Sequence, residues 1–353
     1  MLDTGVWEAA VRSSTASQNG NLEGLLRRTG CRTGRLFSFL QEMVSRLTSP
    51  TVHIPVMMQE ILEWSGLEVE GRSPDSSFVW IDGTLGGGGH ALAMLSRMRD
   101  GDLFVGIDRD PVAVERSELR LQANRNWTCR AKLIATSYRD IPRYIQDGDI
   151  EPADGILLDL GLSSDQLADP ARGFSFKLGG PLDLRFSEDS GIPASQLLQI
   201  ATEKEIADII YQYGEERFSR RIARAIVARR LDDPIETAEQ LYDLIHRVIP
   251  GKIHGRIDSA TRTFQALRIA VNHELDHLKE ALQWLPACLK PNGRLLIISF
   301  HSLEDRMVKH AFRDHPQLEV LTRKPLLPTE REIEENPRSR SAKLRVAQRR
   351  ADG

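Results

Sequence analysis

A glycine-rich stretch between Asp82 and His90 constrains the fold of this chain more than any other feature. An apolar run at Phe78–Ile81 precedes it, and five glycines follow within seven residues. Glycine allows the backbone to turn sharply after a strand and to approach a ligand closely. A second apolar run, Leu103–Ile107, ends in Asp108, where a carboxylate can accept hydrogen bonds from ribose hydroxyls. The pattern predicts a nucleotide-binding β-α-β unit.

Further apolar runs continue the alternation of strands and helices. Strands are expected at Lys132–Ala135, Asp154–Gly161 and Arg294–Phe300, and two runs near the C-terminus could complete the sheet edge. From about residue 165 to residue 265 the apolar spacing is helical, without a convincing strand. One helix is expected there at Glu215–Arg230, and a further helix is expected at Ala266–Leu289. The expected fold class is therefore α/β, with a Rossmann-like sheet and an inserted all-helical domain.

Composition and pattern divide the chain into parts. Residues 1–50 are rich in serine and arginine, and we expect them to form a poorly ordered extension. A transit peptide is the alternative, although several acidic residues count against it. Residues 51–165 and 266–353 are expected to form one discontinuous sheet domain, which would carry the catalytic site. Residues 166–265 are expected to form the helical insert, with a role in substrate recognition.

Overall composition excludes several classes of protein. The formal net charge is −3, so any nucleic-acid partner must be met by a local basic patch. No apolar run reaches the roughly 18 residues that a membrane span needs. The three cysteines, Cys31, Cys129 and Cys288, form no CxxC pair, which argues against a zinc ribbon or a disulfide scaffold. We expect a cytoplasmic protein that has no metal site.

The glycine stretch alone leaves two kinds of ligand open. Gly86–Ala91 also satisfies the dinucleotide fingerprint, so a nicotinamide-dependent oxidoreductase competes. Asp82, at the tip of the first strand, suits a cation such as the amine of S-adenosylmethionine and would repel a pyrophosphate. Asp159 ends the fourth strand, beside the place where a transferred group would lie. These residues favour a methyltransferase over a dehydrogenase.

A set of longer motifs carries a family resemblance. They occur in one order at His53–Val56, Asp82–His90, Gly106–Pro111, Asp154–Leu167, Arg172–Phe176, Gly180–Arg185, Tyr213–Arg217, Ala260–Ile269, Ile298–Arg306 and Asn336–Arg345. Together they resemble the bacterial 16S ribosomal RNA (cytosine-N4) methyltransferase family (MraW/RsmH), over about 53–349. The family usually has arginine where this chain has Gly87, and proline where it has Asp165.

The resemblance implies a reaction and a set of cofactor contacts. The reaction is transfer of a methyl group from S-adenosylmethionine to N4 of one cytidine in the decoding centre of 16S rRNA, within the small (30S) ribosomal subunit. Asp108 would hold the ribose and Tyr138 would pack on the adenine, although Tyr138 could instead be a core aromatic. The resemblance also implies that the backbone at Gly88, Gly89 and His90 holds the cofactor, and that Asp159 and Gln166 contact it.

The chemistry of a cytosine amine suggests a catalytic residue. Its lone pair is delocalised into the ring, and a carboxylate that accepts a hydrogen bond from the amine can localise it. Asp159 is the first candidate for that acceptor, although a cofactor contact could be its only role. No cysteine at a strand end offers the nucleophile that methylation of a ring carbon would need. His301, Glu304 and Asp305 form only a weak metal pattern, and a supporting or RNA-facing role is favoured.

Several side chains are candidates for RNA contact. One helical face would carry Arg217, Arg220, Arg221 and Arg224, unless it is a solvated face balanced by neighbouring glutamates. The C-terminal basic cluster adds Arg340 and Lys343. Phe174 could stack on an extruded cytosine or pack in the core.

Two other functions stay open at this stage. One is a methyltransferase that acts on DNA or protein, and the other is an assembly factor that binds S-adenosylmethionine without turnover. The pattern does not decide between a monomer and a dimer.

Overall fold

The computed structural model describes residues 54–67, 72–73, 76–163, 166–167, 169–175, 179–187, 191–249 and 258–351. The strands are β1 (Val79–Asp82), β2 (Leu103–Asp108), β3 (Arg130–Ala135), β4 (Ala153–Asp159), β5 (Leu289–Ser299), β6 (Leu318–Val320) and β7 (Lys343–Arg349). They form one sheet in the order β3-β2-β1-β4-β5-β7-β6. The predicted N-terminal extension lies outside the described residues. None of the described helices is long and apolar enough to cross a membrane.

The sheet confirms the predicted α/β class. Neighbours from β3 to β5 pair in parallel, whereas β7 pairs antiparallel with both β5 and β6. The two C-terminal runs therefore do complete the sheet edge. Strand order reverses between β1 and β4, and ligands of such sheets bind beyond the carboxyl ends of the strands at that point.

The described helices include a group that covers both faces of this sheet and a group that packs around a separate apolar cluster. They are α1 (Met58–Trp64), α2 (Gly89–Leu95), α3 (Pro111–Ala123), α4 (Ile141–Gln146), α5 (Ala194–Ile200), α6 (Glu203–Gly214), α7 (Ser219–Arg230), α8 (Ala238–Val248), α9 (Ser259–Asn272), α10 (Glu274–Trp284), α11 (Ser302–Asp314) and α12 (Glu330–Glu335). Alternate residues of β1 enter different apolar clusters, with Val79 and Ile81 in one and Trp80 in the other. Both faces are buried because side chains alternate along a strand.

The helices α5 to α9 lie between β4 and β5 in the chain and have an apolar cluster of their own. Its buried members include Leu198, Ile210, Ile226 and Leu241. Phe264 and Leu267 of α9 both belong to this cluster, so the predicted boundary at residue 266 falls inside one helix. The division into a catalytic domain and a recognition insert stays a prediction.

Two predicted helix boundaries are wrong for a shared backbone reason. The helix expected over 266–289 is two helices, because His273 adopts a left-handed conformation with φ of 52° between α9 and α10. The helix expected from Glu215 begins at Ser219, because Glu215 has φ of 49° and ends α6. Non-glycine residues visit this conformation rarely, so apolar spacing does not reveal such breaks.

Candidate active site

One cavity lies at the carboxyl edge of the sheet, where the strand order reverses. Its empty space, counted out to the open mouth, is about 1110 Å³. The predicted residues that line it are His90, Asp108, Tyr138, Asp159 and Gln166. The structure therefore brings together side chains from five separate segments of the chain.

The glycine loop shapes this cavity mainly through its backbone. Gly86 lines the cavity, and its N–H donates to Oδ2 of Asp108 at 2.8 Å. Gly88 has φ of 70° and is the N-cap residue of α2, while a side chain on Gly89 would stand 2.3 Å from Cγ of Pro55. Neither Gly88 nor Gly89 lines the cavity. The first is needed for its left-handed turn and the second for a close approach to the segment before α1.

Asp108 ends β2 and is held by backbone groups. Its carboxylate accepts hydrogen bonds from the N–H of Gly86 at 2.8 Å and of Asp110 at 2.9 Å. Burial raises the pKa of Asp108 to about 6, although these N–H groups act to lower it. Backbone donors fix the carboxylate at the cavity wall, which is the geometry expected of a group that receives a ribose.

Asp82 occupies a different place from the one predicted. It ends β1 but is fully buried and does not line the cavity. Its Oδ1 accepts a hydrogen bond from the N–H of Thr84 at 3.0 Å, and its Oδ2 has no partner among the described residues. Burial raises the pKa of Asp82 to about 7, and the charge of Asp108 adds to the rise. Asp82 therefore lies beneath the cavity and contacts Thr84, which lines it.

Asp159 ends β4 and does reach the cavity. Its N–H donates to Oγ1 of Thr84 at 2.6 Å, and Oδ2 lies 3.8 Å from Nδ1 of His90. Oδ1 is buried and has no hydrogen-bond partner in the described part of the chain. Burial, then the charges of Asp82 and Glu304, raise the pKa of Asp159 well above its usual value. An acceptor that is buried at a cavity and unsatisfied by protein indicates a ligand position.

His90 connects Asp159 with the segment before α1. Nε2 lies 3.0 Å from the carbonyl oxygen of Val56. Since a carbonyl can only accept, this contact places a proton on Nε2, and Nδ1 faces Asp159. The imidazole, which is 4% exposed, is therefore a side-chain wall of the site. The resemblance assigned His90 only a backbone role.

A second group of lining residues comes from distant helices and was not predicted. Nη1 of Arg109 donates to the carbonyl of Asn272 at 3.1 Å and contacts Nδ1 of His277 at 3.3 Å. Burial, then the positive charge of Arg109, lowers the pKa of His277 to about 4. His277 is therefore a neutral acceptor for Arg109 at neutral pH. Glu274, in the same helix, lines the cavity and pairs with Arg268 at 2.7 Å. Only the position of Arg109 after Asp108 offered a local signal.

Comparison with known proteins identifies the family. A profile described as the MraW methylase family matches residues 50–350. The chain belongs to the MraW methylase family. It is a methyltransferase, and its sheet and cavity agree with that class.

Named relatives of this methylase are similar over most of its length, and they include several proteins with the name "Ribosomal RNA small subunit methyltransferase H". The protein from Rhodopirellula baltica is 48% identical, covering 85% of this chain and 92% of the relative. The protein from Synechococcus elongatus is 46% identical, and the match covers 84% of this chain and 94% of the relative. The protein from Thermomicrobium roseum is 45% identical, and the match covers 85% of this chain and 94% of the relative.

Gln166 of the methylase is a wall residue held by local contacts. Its side-chain oxygen accepts a hydrogen bond from the N–H of Ser163 at 3.1 Å, and its amide nitrogen lies 3.5 Å from Oδ2 of Asp110. The same Asp110 pairs with the buried Arg172 at 3.0 Å. Arg172 also donates to the carbonyl of Phe186, which lines the cavity. These contacts connect the sheet edge with the loop that leads into the helical segment.

Glu304 and His301 support the wall that follows β5. Oε2 of Glu304 accepts hydrogen bonds from the N–H groups of Phe300 at 2.9 Å and of His301 at 3.3 Å. Burial acts to raise the pKa of Glu304, but His301, Arg268 and the N–H of Phe300 together lower it. In the described residues, no group of three or more potential ligand side chains could hold a metal ion. His301 caps α11, whereas Ser302 donates to Glu215 at 2.7 Å.

The predicted RNA-contact residues are placed unevenly. Arg220, Arg221 and Arg224 are exposed on α7, with Arg224 3.7 Å from Glu203. Arg217 is exposed but precedes the helix, and its guanidinium lies over the ring of Phe218. The predicted helical face therefore consists of three arginines, and Arg217 lies on the turn that precedes the helix.

The remaining candidates have structural partners or lie apart from the cavity wall. Phe174 is 6% exposed and packs in the helical cluster, 5.9 Å from the ring of Phe186. This placement favours the core-packing alternative for Phe174. Lys343 pairs with Asp305 at 3.4 Å, and Arg340 is exposed but does not line the cavity.

Proposed function

We propose that this methylase transfers a methyl group from S-adenosylmethionine to N4 of a cytidine in the decoding centre of 16S rRNA, within the small ribosomal subunit in the cytoplasm. The names of the relatives support the RNA substrate. The observation that carries the amine chemistry is the unpartnered Oδ1 of Asp159 at the end of β4. A buried acceptor in this place suits a substrate that brings N–H groups, as an exocyclic amine does.

The residues at the cavity fit the methyl donor. Asp108 presents a backbone-held carboxylate for ribose hydroxyls, and Tyr138 supplies a ring for the adenine. A side chain on Gly83 would stand 2.5 Å from Leu158 and 2.9 Å from Cβ of Tyr138, so the loop passes as close to the wall as glycine allows. When bound, the donor supplies an electrophilic methyl group on a positively charged sulfur. The acidic lining complements that charge.

Asp159 would activate and position the amine. A carboxylate oxygen that accepts one N–H of the amine draws the lone pair of nitrogen out of conjugation and aligns it for attack. The nearby positive charge of the donor favours the ionised form of Asp159, which opposes the effect of burial on its pKa. After methyl transfer the nitrogen must lose a proton, and Asp159, with His90 3.8 Å away, would receive it.

The test is transfer of labelled methyl groups to small subunits that lack the modification, followed by nucleoside mass spectrometry. The expected product is N4-methylcytidine at one site of 16S rRNA. Label in protein, in DNA or on a ring carbon would contradict the proposal. Binding of S-adenosylmethionine without transfer to subunits, free RNA or protein would instead support an assembly factor.

A further inference from the structure

The turn before β7 is fixed against the opposite end of the chain. This turn, Pro337–Ser341, is a 3-10 helix in which Ser339 is fully buried. Nδ2 of the preceding Asn336 donates to the carbonyl of Ile54 at 3.2 Å. Just upstream, Oε1 of Glu332 accepts the N–H of Met57 at 2.7 Å. The two contacts hold the turn and the segment before α1 together at the cavity.

Arg338 belongs to this turn, and its guanidinium has no partner among the described residues. It lines the cavity and is exposed, and its side chain makes no hydrogen bond or ion pair within the described ranges. The other arginine of the cavity wall, Arg109, is bonded to Asn272 and His277 and lies 5.9 Å from the ring of Phe186. Arg338 is therefore the guanidinium of the described wall that remains available to a ligand.

The strand order decides on which side of Asp159 this guanidinium lies. Asp108 and Tyr138 follow β2 and β3, on one side of β4. The turn carrying Arg338 precedes β7, whose first residue, Lys343, pairs with Ser299 at the end of β5. Arg338 therefore lies toward β5 and β7, across Asp159 from the residues that suit ribose and adenine. If the donor lies against Asp108 and Tyr138 as proposed, a methyl acceptor would approach from this side.

The charge of the cavity lining indicates what the guanidinium of Arg338 would bind. Four carboxylates line it, from Asp108, Asp159, Glu274 and Glu304. Such a lining favours a cationic donor but repels the phosphates of an RNA strand. A target nucleotide that enters this cavity brings a phosphate on each side, and an arginine at the mouth can bind one of them with two parallel hydrogen bonds.

We infer that Arg338 binds a phosphate of the substrate strand next to the target nucleotide. The inference rests on the proposed function, since it assumes an RNA acceptor. Anchoring of the turn by Asn336 and Ser339 holds the guanidinium at a set place beside the cavity mouth. The phosphate contact would thereby orient the base toward Asp159. This role differs from that of the exposed arginines on α7, which lie outside the cavity wall.

The test compares Arg338→Gln and Arg338→Lys with a matched control, Arg331→Gln. Arg331 lies in α12, is exposed, pairs only on the surface with Glu335 and does not line the cavity. Two quantities are measured: KM for small subunits, and Kd for S-adenosylmethionine by calorimetry. Arg338→Gln should raise KM about tenfold, as expected for loss of a charge-assisted hydrogen bond. Arg338→Lys should retain part of the affinity, and neither substitution should change Kd for the donor.

Three results would overturn the inference. An unchanged KM for Arg338→Gln would show that no phosphate is bound there. A weaker donor Kd with an unchanged KM would show that Arg338 holds the carboxylate of the donor. An equal rise in KM for Arg331→Gln would show a general charge effect. Failure of the proposed function is separable, because the wild-type protein itself would then not methylate subunits.

Discussion

Three aspartates end three neighbouring strands, and their environments give them different capacities. Asp108 on β2 is held by two backbone N–H groups, and Asp82 on β1 is sealed below Thr84. Asp159 on β4 alone combines contact with the cavity and an oxygen without a partner among the described residues. The same residue type at equivalent strand ends therefore has three different environments, for which we propose roles in ligand binding, internal polarity and amine activation.

Replacing Asp159 tests the activation role. Asp159→Asn keeps the size of the side chain but removes its charge and its ability to accept a proton. We expect kcat for methyl transfer to fall by roughly 10²-fold or more, with the fold retained. The measurement is single-turnover transfer to subunits alongside thermal unfolding. The control is Asp149→Asn, which replaces an exposed carboxylate and should keep full activity. Wild-type turnover by Asp159→Asn would show that Asp159 does not activate the amine.

Replacing Asp82 tests the cost of burying its carboxyl group. The pKa of Asp82 is about 7 in the folded protein, against 3.8 as the ordinary value. The folded state therefore binds the proton more tightly, and stability falls as pH rises from about 4 to about 7. Asp82→Asn removes this loss, so its free energy of unfolding should exceed that of the wild type at pH 8, by up to about 4 kcal/mol.

The decisive observation for Asp82 is how the difference in free energy of unfolding between Asp82→Asn and the wild type depends on pH. Urea unfolding at pH 4 and at pH 8 should show a gain at pH 8 and little or none at pH 4. An equal change at both values would mean that the substitution acts through packing. The control Asp149→Asn should show no such dependence, because its side chain is exposed.

At the scale of elements, the glycine loop and the segment before α1 form one wall. Gly89 allows Pro55 to approach, and His90, the next residue, contacts Val56. The segment is held from its other side by Asn336 and Glu332. The loop therefore depends on the C-terminal part of the chain for its shape, although the two are far apart in sequence.

Gly89→Ala tests this dependence. The added Cβ would stand 2.3 Å from Cγ of Pro55, so the proline segment must move. We expect a loss of about 1–3 kcal/mol in the free energy of unfolding and weaker binding of S-adenosylmethionine. Differential scanning calorimetry and donor titration measure both effects. The double variant with Pro55→Ala, which removes the clashing atom, should recover much of the loss; no recovery would show that the contact is not the cause.

At the scale of the whole molecule, the proposed RNA substrate would require an acidic protein to bind an acidic partner. The chain has a formal charge of −3, and the cavity lining adds local negative charge. The exposed arginines of α7 provide a separate positive surface on the helical layer. Long-range attraction would then bring the subunit to the protein, and the cavity would select the nucleotide.

A triple substitution tests that division of labour. Replacing Arg220, Arg221 and Arg224 by glutamine should raise KM for subunits and flatten its dependence on salt, because fewer phosphate contacts release fewer counterions. Donor affinity should stay unchanged. The matched control replaces Arg99, Arg125 and Arg130, which are exposed near the amino ends of β2 and β3. Equal effects of the two triple variants would contradict a specific surface on α7.

Much of the fold and part of the site were predictable, because they depend on local patterns. Apolar runs and glycines predict the parallel strands, and strand polarity places Asp108 and Asp159 at one edge of the sheet. Those residues are found at one cavity for that reason. Helix ends at Glu215 and His273 escaped prediction, since a left-handed residue leaves little trace in apolar spacing.

What the amino-acid sequence determined by itself was the order of strands and helices, the glycine turn and the residue types at the strand ends. Only the tertiary structure decided that Asp82 is sealed below the cavity, that Phe174 packs in the helical cluster and that Arg338 faces the cavity. Periodicity and turn chemistry act over a few residues, so they can be recognised along the chain. Burial and charge pairing depend on segments hundreds of residues apart, such as Ile54 and Asn336, and exist only once the chain has folded.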